Sequence, residues 1–213
     1  NDQVRFDMIF QILAPEIEII SLIRDQNLSR ESEIKYLNSH GINISWEKAK
    51  YSINTGLWGI SIGGAETLNS RDPLPESAYP SKVIKSESEE LQIEFKTGEL
   101  FAINGEKGKP FELIQRLQIL ARDFGIGRDI HVGDTIIGIK GRVGFEAAAP
   151  IIIIKAHHLL EKHTLSKWQL FQKEQLSNFY GMQLHEGHYL DPVMRDLEAF
   201  VESSQKKVSG KVY

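Results

Sequence analysis

The N-terminal part of the chain places apolar side chains every three or four residues, which is the period of an α-helix. Pro15 ends this pattern, so we predict a helix over residues 2–13. The apolar run "IEII" at residues 17–20 predicts a short strand, and "LSRESEIKYLNSHG" predicts a second helix that Ser29 caps and Gly41 ends. Helix, strand and helix within about 40 residues is the order typical of an α/β domain.

From residue 46 onward, strands and helices are predicted without regular alternation. "LQIEFKTGELFAING" alternates apolar and polar positions about Thr97–Gly98, which predicts a hairpin, and Pro110 opens a helix that Gly125 ends. The remaining predictions are an exposed loop over 69–90, short strands at "IHV" and "TIIGIK", a long helix that begins in "IIII" (151–154) and continues past Phe171, and a helix over "LDPVMRDLEAFVESSQ". We therefore predict an α+β fold for residues 46–213, with an antiparallel sheet and long C-terminal helices.

The composition narrows the class of protein. The chain has 213 residues, of which 41% are hydrophobic, with a net charge of −4 and a pI near 6.0. The acidic balance disfavours binding to nucleic acid, and the absence of cysteine excludes disulfides and thiol chemistry. The longest apolar run, "AAAPIIII", is far shorter than the ~20 residues of a membrane helix. We therefore expect a globular, cytoplasmic protein that binds neither nucleic acid nor membrane.

Three stretches carry residue types suited to binding a polar small molecule. "NDQVRF" brings Asn1, Asp2 and Arg5 to a helix N-terminus, a position that favours anions. In "YSINTGLWGISIGG", Ser52 and Ser61 lie nine residues apart around an Asn-Thr-Gly turn. "GIGRDIHVGDTIIGIKGRVGFEAAAP" is rich in glycine, which permits tight turns and close backbone approach. It also carries four charged side chains that favour a polar ligand: Arg128, Lys140, Arg142 and Glu146.

Each stretch also has a simpler interpretation. Asn1 and Asp2 could cap a helix, and Arg5 could be a solvated surface residue. Serines in such segments are most often turn residues, and dense glycines could serve only tight strand connections.

The histidines raise the question of a metal site. In "HEGH" (185–188) the two histidines are three residues apart, whereas the zinc-protease motif needs four to bring both rings to one metal. We therefore predict structural or surface roles for all seven histidines, including those of "HHLLEKH", and no metal site. Four aromatic side chains are predicted to be core or subunit contacts: Trp58, Trp168, Phe171 and Tyr180.

Taken together and in this order, the three stretches resemble the argininosuccinate synthase family. That family has a Gly-Asn-Asp segment leading into a Gln-Val-Arg-Phe helix, then a Ser…Asn-Leu-Trp-Gly…Ser block, then a Gly-hydrophobic-Gly-Arg block that continues through Gly-hydrophobic-Lys to Arg-Gly. This chain matches with Asn1-Asp2…Arg5, Ser52…Leu57-Trp58-Gly59…Ser61 and Gly125-Ile126-Gly127-Arg128…Gly138-Ile139-Lys140…Arg142. "KAHHLLEKHTL" is similar to the long helix of the family. The lone "GIGRDI" lacks the last glycine of a dinucleotide fingerprint, which disfavours a Rossmann site.

The resemblance implies how the chain is organised. Residues 1–45 would be the last helix-strand-helix of an α/β nucleotide-binding domain, and residues 46–213 the synthetase (catalytic and multimerisation) domain. The family's Ser-Gly-Gly loop for the ATP pyrophosphate is expected to belong to a segment before Asn1, so the 213 residues are expected to be inactive alone. The resemblance also implies a homotetramer in which long C-terminal helices reach between subunits.

The resemblance further implies a ligase of arginine biosynthesis. ATP, with Mg²⁺, would activate the ureido oxygen of citrulline as an adenylate, and the amine of aspartate would then displace AMP. Arg5 would bind a carboxylate of citrulline, Ser52 and Ser61 would hydrogen-bond citrulline, Asp2 would contact aspartate, and Asn1 would lie between the two substrates. No side chain is expected to be a catalytic acid or base, because such an enzyme works by positioning and electrostatics. The alternative is a non-catalytic small-molecule-binding or oligomerisation module of the same fold.

The sequence departs from the family pattern at two positions. Most members of the family carry a citrulline-binding glutamate where this chain has Gly133, and a citrulline-binding tyrosine where it has Phe145. We predict that Asp134 replaces the glutamate. This prediction requires a bulge or turn at Gly133, because a shift of one residue along a regular strand points the side chain to the other face.

Overall fold

The computed structural model describes residues 2–43 and 50–213. It contains seven α-helices in these ranges: α1 Asp2–Leu13, α2 Leu22–Gln26, α3 Arg30–Ser39, α4 Pro110–Arg122, α5 Ala148–Thr164, α6 Lys167–Glu186 and α7 Pro192–Gln205. The same ranges contain eight strands: β1 Ser52–Gly56, β2 Gly59–Gly63, β3 Ile93–Lys96, β4 Glu99–Ile103, β5 Glu106–Lys107, β6 Arg128–Asp134, β7 Lys140–Glu146 and β8 Gly210–Val212. The fold is therefore a mixture of helices and antiparallel sheet with long C-terminal helices.

The N-terminal segment is helical, but the strand predicted at residues 17–20 is wrong. The predicted helices correspond to α1 and α3, and Ser29 caps α3 by accepting a hydrogen bond from the Ser32 amide at 3.2 Å. Residues 17–20 are irregular, and Ile17 and Ile20 are exposed. No strand among the described residues lies beside them, so their backbone groups have no ladder to join. Asn1 lies outside the described residues.

The second sheet, in the order β5-β4-β3-β8, forms the main core. The predicted hairpin is confirmed: β3 and β4 are joined at Thr97–Gly98, both with positive φ (49° and 85°), as a tight hairpin turn requires. Helices α4 and α5 pack on this sheet. The side chains that fill the core include Ile93, Phe95, Ile103, Leu113, Leu117, Ile153 and Val208.

The first sheet, in the order β1-β2-β7-β6, lies beside the proline-rich segment 69–90. That segment is not wholly exposed as predicted, because Leu74 and Ala78 are buried against Ile62 of β2. The β1–β2 turn lies at Leu57–Trp58 rather than at Asn-Thr-Gly. Similarly, most of "TIIGIK" is the turn between β6 and β7, and β7 begins only at Lys140.

The long helix predicted from residue 151 past Phe171 is two helices, α5 and α6. Ser166 accepts a hydrogen bond from the Gln169 amide, and the Gln169 side chain accepts one from the Ser166 amide. This capping box starts α6, and the extended backbone of Leu165 ends α5. The predicted helix near the C-terminus is confirmed as α7.

Helix α6 has no buried residue along its 20 positions. Of the aromatic residues predicted as core or subunit contacts, Trp58, Trp168 and Phe171 are each more than half exposed, so they are not core residues. Tyr180 instead donates a hydrogen bond to Glu198 of α7 at 2.8 Å. Within residues 2–43 and 50–213, no helix combines the length and the apolar character needed to cross a membrane.

Candidate functional site

An open cavity of about 760 Å³ lies along the β6–β7 hairpin. Its walls are formed by residues between 127 and 147, together with Ile151 of α5 and His185 of α6. The cavity therefore lies where the first sheet meets the start of α5 and the end of α6.

The two predicted serines lie on the same face of this sheet as the cavity-lining Phe145. Ser61 lies directly opposite Phe145 across β2 and β7, and also opposite Asn54 across β1 and β2. Ser52 lies two positions from Asn54 and therefore shares its face. Both serines are half-buried, and neither hydroxyl makes a hydrogen bond within the described ranges.

Gly133 also lies on this face, and its missing side chain makes room for His131. The Nε2 atom of His131 occupies the space that a Cβ atom at position 133 would need. The His131 ring also meets the Phe145 ring edge-on, with 6.4 Å between centroids. The structure thus places an imidazole over the position where most of the family would carry a glutamate, a contact that the sequence analysis did not predict.

The bulge that the Asp134 prediction requires is absent. The pairing of β6 with β7 is regular from Arg128 opposite Glu146 to Asp134 opposite Lys140. Asp134 therefore lies on the face opposite to Gly133, where its carboxylate accepts a hydrogen bond from Lys140 Nζ at 2.7 Å. A carboxylate on that face cannot take the place of a side chain at position 133.

Arg5 contacts His185, a residue of the cavity wall, and makes three hydrogen bonds. Its Nε donates to the carbonyl of His185 at 2.7 Å, its Nη2 contacts His185 Nδ1 at 3.0 Å, and its Nη1 donates to Asp2 at 2.6 Å. Gly187, in the left-handed conformation (φ +88°), ends α6 and allows Arg5 and Met8 to approach closely. The Arg5 side chain is 30% exposed and that of Asp2 is 81% exposed.

His185 connects this arginine to the sheet. Its Nε2 contacts the carbonyl oxygen of Asp134 at 2.9 Å. The ring thus joins α1, the end of α6 and the last residue of β6. Sequence reasoning assigned His185 no more than a structural or surface role, because its partners are 180 and 51 residues away and no local pattern reveals them.

Three of the four charged residues of the glycine-rich stretch contact a loop: Arg128, Arg142 and Glu146. Arg142 also lines the cavity. Arg128 donates to Glu76 at 2.7 Å and to the carbonyl of Ser81 at 2.6 Å, and its guanidinium lies over the Tyr79 ring. Glu146 is buried beside it. Arg142 donates to the backbone carbonyls of Glu66, Asn69 and Asp72. These residues attach segment 66–81 to the first sheet.

Glu66 of this segment has a strongly lowered pKa. Lys50 Nζ and the Tyr51 hydroxyl donate to its two carboxylate oxygens at 2.8 Å and 2.6 Å. The bond from Lys50 contributes most and that from Tyr51 next, and together with smaller contributions they lower the pKa of Glu66 to about 2 from 4.5. Because the pKa is lower in the folded state, the ionised carboxylate stabilises the fold fully above about pH 4.5, and this stabilisation is lost as the pH falls toward 2.

We therefore expect Glu66→Gln to flatten the pH dependence of stability in acid. Urea unfolding at about pH 6 and about pH 3 should show a smaller loss of unfolding free energy in the variant than in the parent chain. Glu90→Gln is the matched control, since Glu90 is exposed and has no ion pair in the part of the chain that the structure describes. Equal acid losses in Glu66→Gln and the parent would contradict the assignment.

No group of three or more His, Asp or Glu side chains within residues 2–43 and 50–213 is placed to hold a metal ion. Two histidines of α5, His157 and His158, lie near the buried carboxylate of Glu161 instead. Glu161 accepts hydrogen bonds from Lys173 and Gln205 at 3.1 Å and 2.8 Å, and His157 Nδ1 lies 3.6 Å from it. Burial lowers the pKa of His157, against the opposing effect of Glu161. This cluster joins α5 to α6 and α7.

Two family models, each describing one domain of a synthase, match the chain. The family described as "Arginosuccinate synthase N-terminal HUP domain" matches residues 1–43, and "Arginosuccinate synthase C-terminal domain" matches residues 51–213. The chain is 41% identical to an argininosuccinate synthase of Methanocaldococcus jannaschii, 39% to one of Dehalococcoides mccartyi and 37% to one of Pyrococcus furiosus. Each match covers 100% of this chain and 52–54% of the relative.

The chain belongs to the argininosuccinate synthase family. It spans about half the length of the curated relatives that it matches.

Proposed function

We propose that the protein is an ATP-dependent carbon–nitrogen ligase that joins citrulline and aspartate to form argininosuccinate in arginine biosynthesis. The ureido oxygen of citrulline attacks the α-phosphorus of ATP, with Mg²⁺, and pyrophosphate leaves. The aspartate amine then attacks the ureido carbon, the carbon–oxygen bond to AMP breaks, and AMP leaves. The observation that carries this proposal is that each of the three family motifs is joined to residues of one cavity wall: Ser52 and Ser61 share a sheet face with the cavity-lining Phe145, and Arg5 bonds the cavity-lining His185.

The proposed contacts use side chains that bind rather than exchange protons. Arg5 binds a substrate carboxylate, Ser52 and Ser61 hydrogen-bond citrulline, and the exposed Asp2 contacts aspartate. Asn1, which lies outside the described residues, keeps its proposed place between the two substrates. Asp134 acts through its backbone carbonyl, which holds His185, rather than through its carboxylate. Catalysis then rests on orientation of the two substrates.

We further propose that the chain divides near residue 45 and that the protein is a cytoplasmic homotetramer. The division is supported by the ranges of the two family matches, which end at 43 and begin at 51.

An assembly is supported by α6, whose exposed side chains include large apolar ones: Trp168, Phe171, Phe179 and Met182. Such a surface is typical of an interface between subunits.

The test is a reaction with defined products. The protein expressed from its complete reading frame should convert ATP, citrulline and aspartate into argininosuccinate, AMP and pyrophosphate in equal amounts. The 213 residues alone should form none of them, because about half of the length of the relatives is then missing. Absence of all three products with the complete protein would favour the alternative, a non-catalytic small-molecule-binding or oligomerisation module.

A further inference from the structure

We infer that His185 is a positioning residue that holds the Arg5 guanidinium in one orientation toward the cavity. This inference rests on the proposed role of Arg5 as the group that binds a substrate carboxylate. It concerns a residue in the C-terminal half of the chain that never needs to touch the substrate.

The hydrogen bonds of Arg5 show which part of the guanidinium His185 uses. A guanidinium can present two forks of paired N–H groups, one from Nε with Nη2 and one from Nη1 with Nη2. His185 accepts from the first fork with two of its own atoms, its carbonyl oxygen at 2.7 Å from Nε and its Nδ1 at 3.0 Å from Nη2. Nη1 donates to Asp2, and Nη1 and Nη2 each carry a second N–H with which the guanidinium can meet a carboxylate.

The opposite side of the His185 ring fixes which nitrogen carries the proton. Its Nε2 lies 2.9 Å from the carbonyl oxygen of Asp134, and a carbonyl oxygen can only accept. Nε2 must therefore be the protonated nitrogen, which leaves the lone pair of Nδ1 directed at Arg5 Nη2. The neutral ring thus has one donor and one acceptor, and both are used.

These hydrogen bonds connect β6, the end of α6 and α1 in one continuous chain. The Asp134 carbonyl at the end of β6 orients the ring, and the ring orients Arg5 at the start of α1. His185 is also part of the cavity wall. Loss of the ring should leave Arg5 free to adopt other rotamers, which costs binding of the carboxylate rather than the chemical step.

The kinetic test compares two variants of His185 in the protein expressed from its complete reading frame. His185→Phe keeps a flat ring but has neither donor nor acceptor, and should raise the KM for citrulline about tenfold with kcat within about twofold. His185→Gln offers an amide N–H to Asp134 and an amide oxygen to Arg5, and should restore the KM to within about threefold of the parent value. The control is His188→Phe, because His188 contacts Gln183 and not Arg5.

A second measurement determines which nitrogen of the His185 ring carries the proton, and it does not depend on enzyme activity. Imidazole ¹⁵N shifts of the protein expressed from its complete reading frame should show His185 protonated at Nε2 and unprotonated at Nδ1, and Arg5→Lys should change the Nδ1 signal. A proton on Nδ1 in the parent chain would overturn the inference. The same would follow if His185→Phe, folded as judged by its circular dichroism, kept the parent KM while Arg5→Lys did not.

The outcomes separate this inference from the proposed function. An unchanged KM in Arg5→Lys would remove the proposed role of Arg5, and the positioning role with it. A raised KM in Arg5→Lys and His185→Phe, with rescue by His185→Gln, would support both.

Discussion

Replacing Arg128 with methionine should lower the melting temperature by about 6 to 12 °C. The Arg128 side chain is 10% exposed, and its Nε lies 3.4 Å from the carboxylate of Glu146, which is 1% exposed. Removal of one member of a buried ion pair typically costs about 3 kcal/mol or more, because the remaining charge stays buried without compensation. In a chain of this size each kcal/mol corresponds to about 2–4 °C. The variant also loses the bonds to Glu76 and Ser81 that hold segment 66–81. Differential scanning calorimetry measures the shift.

The matched control is Lys140→Met in the same sheet. Lys140 and Asp134 also form an ion pair at 2.7 Å, but their side chains are 70% and 45% exposed, so its loss should change stability by less than about 0.5 kcal/mol. Combining Arg128→Met with Glu146→Leu should restore part of the stability, because the double variant no longer buries a carboxylate without its partner. A melting temperature for Arg128→Met within about 1 °C of the parent value would contradict a stabilising role for the pair.

Replacing Arg5 with lysine should raise the KM for citrulline at least about tenfold in the protein expressed from its complete reading frame. A lysine keeps the positive charge but has a single nitrogen, so it cannot bond His185 at two points and still present a fork to a carboxylate. Loss of a bidentate, charge-assisted contact corresponds to about 2 kcal/mol, or more than tenfold in affinity. Initial rates over a range of citrulline concentrations measure the effect.

Arg24→Lys provides the control for this charge-preserving change. Arg24 is half-exposed and pairs with Asp7 and Asp25 rather than with the cavity-lining His185, so its replacement should leave the KM within about twofold. An equal KM in Arg5→Lys and the parent protein would mean that Arg5 is a surface group without a substrate contact.

The sequence by itself determined those helices and turns whose formation depends only on their own residues. The hairpin at Thr97–Gly98 follows from alternation and a turn that tolerates positive φ. Helix α4 begins at Pro110 and buries Leu113 and Leu117, as its periodicity predicts. Family membership was also readable from the sequence alone, since it rests on the order and spacing of short motifs. The predicted strand at 17–20 failed because a strand needs a neighbour as well as a pattern.

The site was only partly predictable from the sequence, because the position of its side chains also depends on which strands lie next to each other. The spacing of Ser52 and Ser61 identified a pair of candidates, but only the register of β1, β2 and β7 placed both on the face of Phe145. The sequence left open whether Gly133 bends the strand, and the regular pairing of β6 with β7 decided that Asp134 faces the other way.

The hydrogen-bonded and ionic contacts of the site depended wholly on tertiary structure. Arg128 and Arg142 looked like ligand-binding groups, yet both hold a loop that precedes them by about 50 to 75 residues in the sequence. His185 gained its role from Arg5, 180 residues before it, and from Asp134. A side chain's type and its local neighbours determine what it can bind, whereas strand register and helix packing determine which partner comes within the roughly 3 Å of a hydrogen bond.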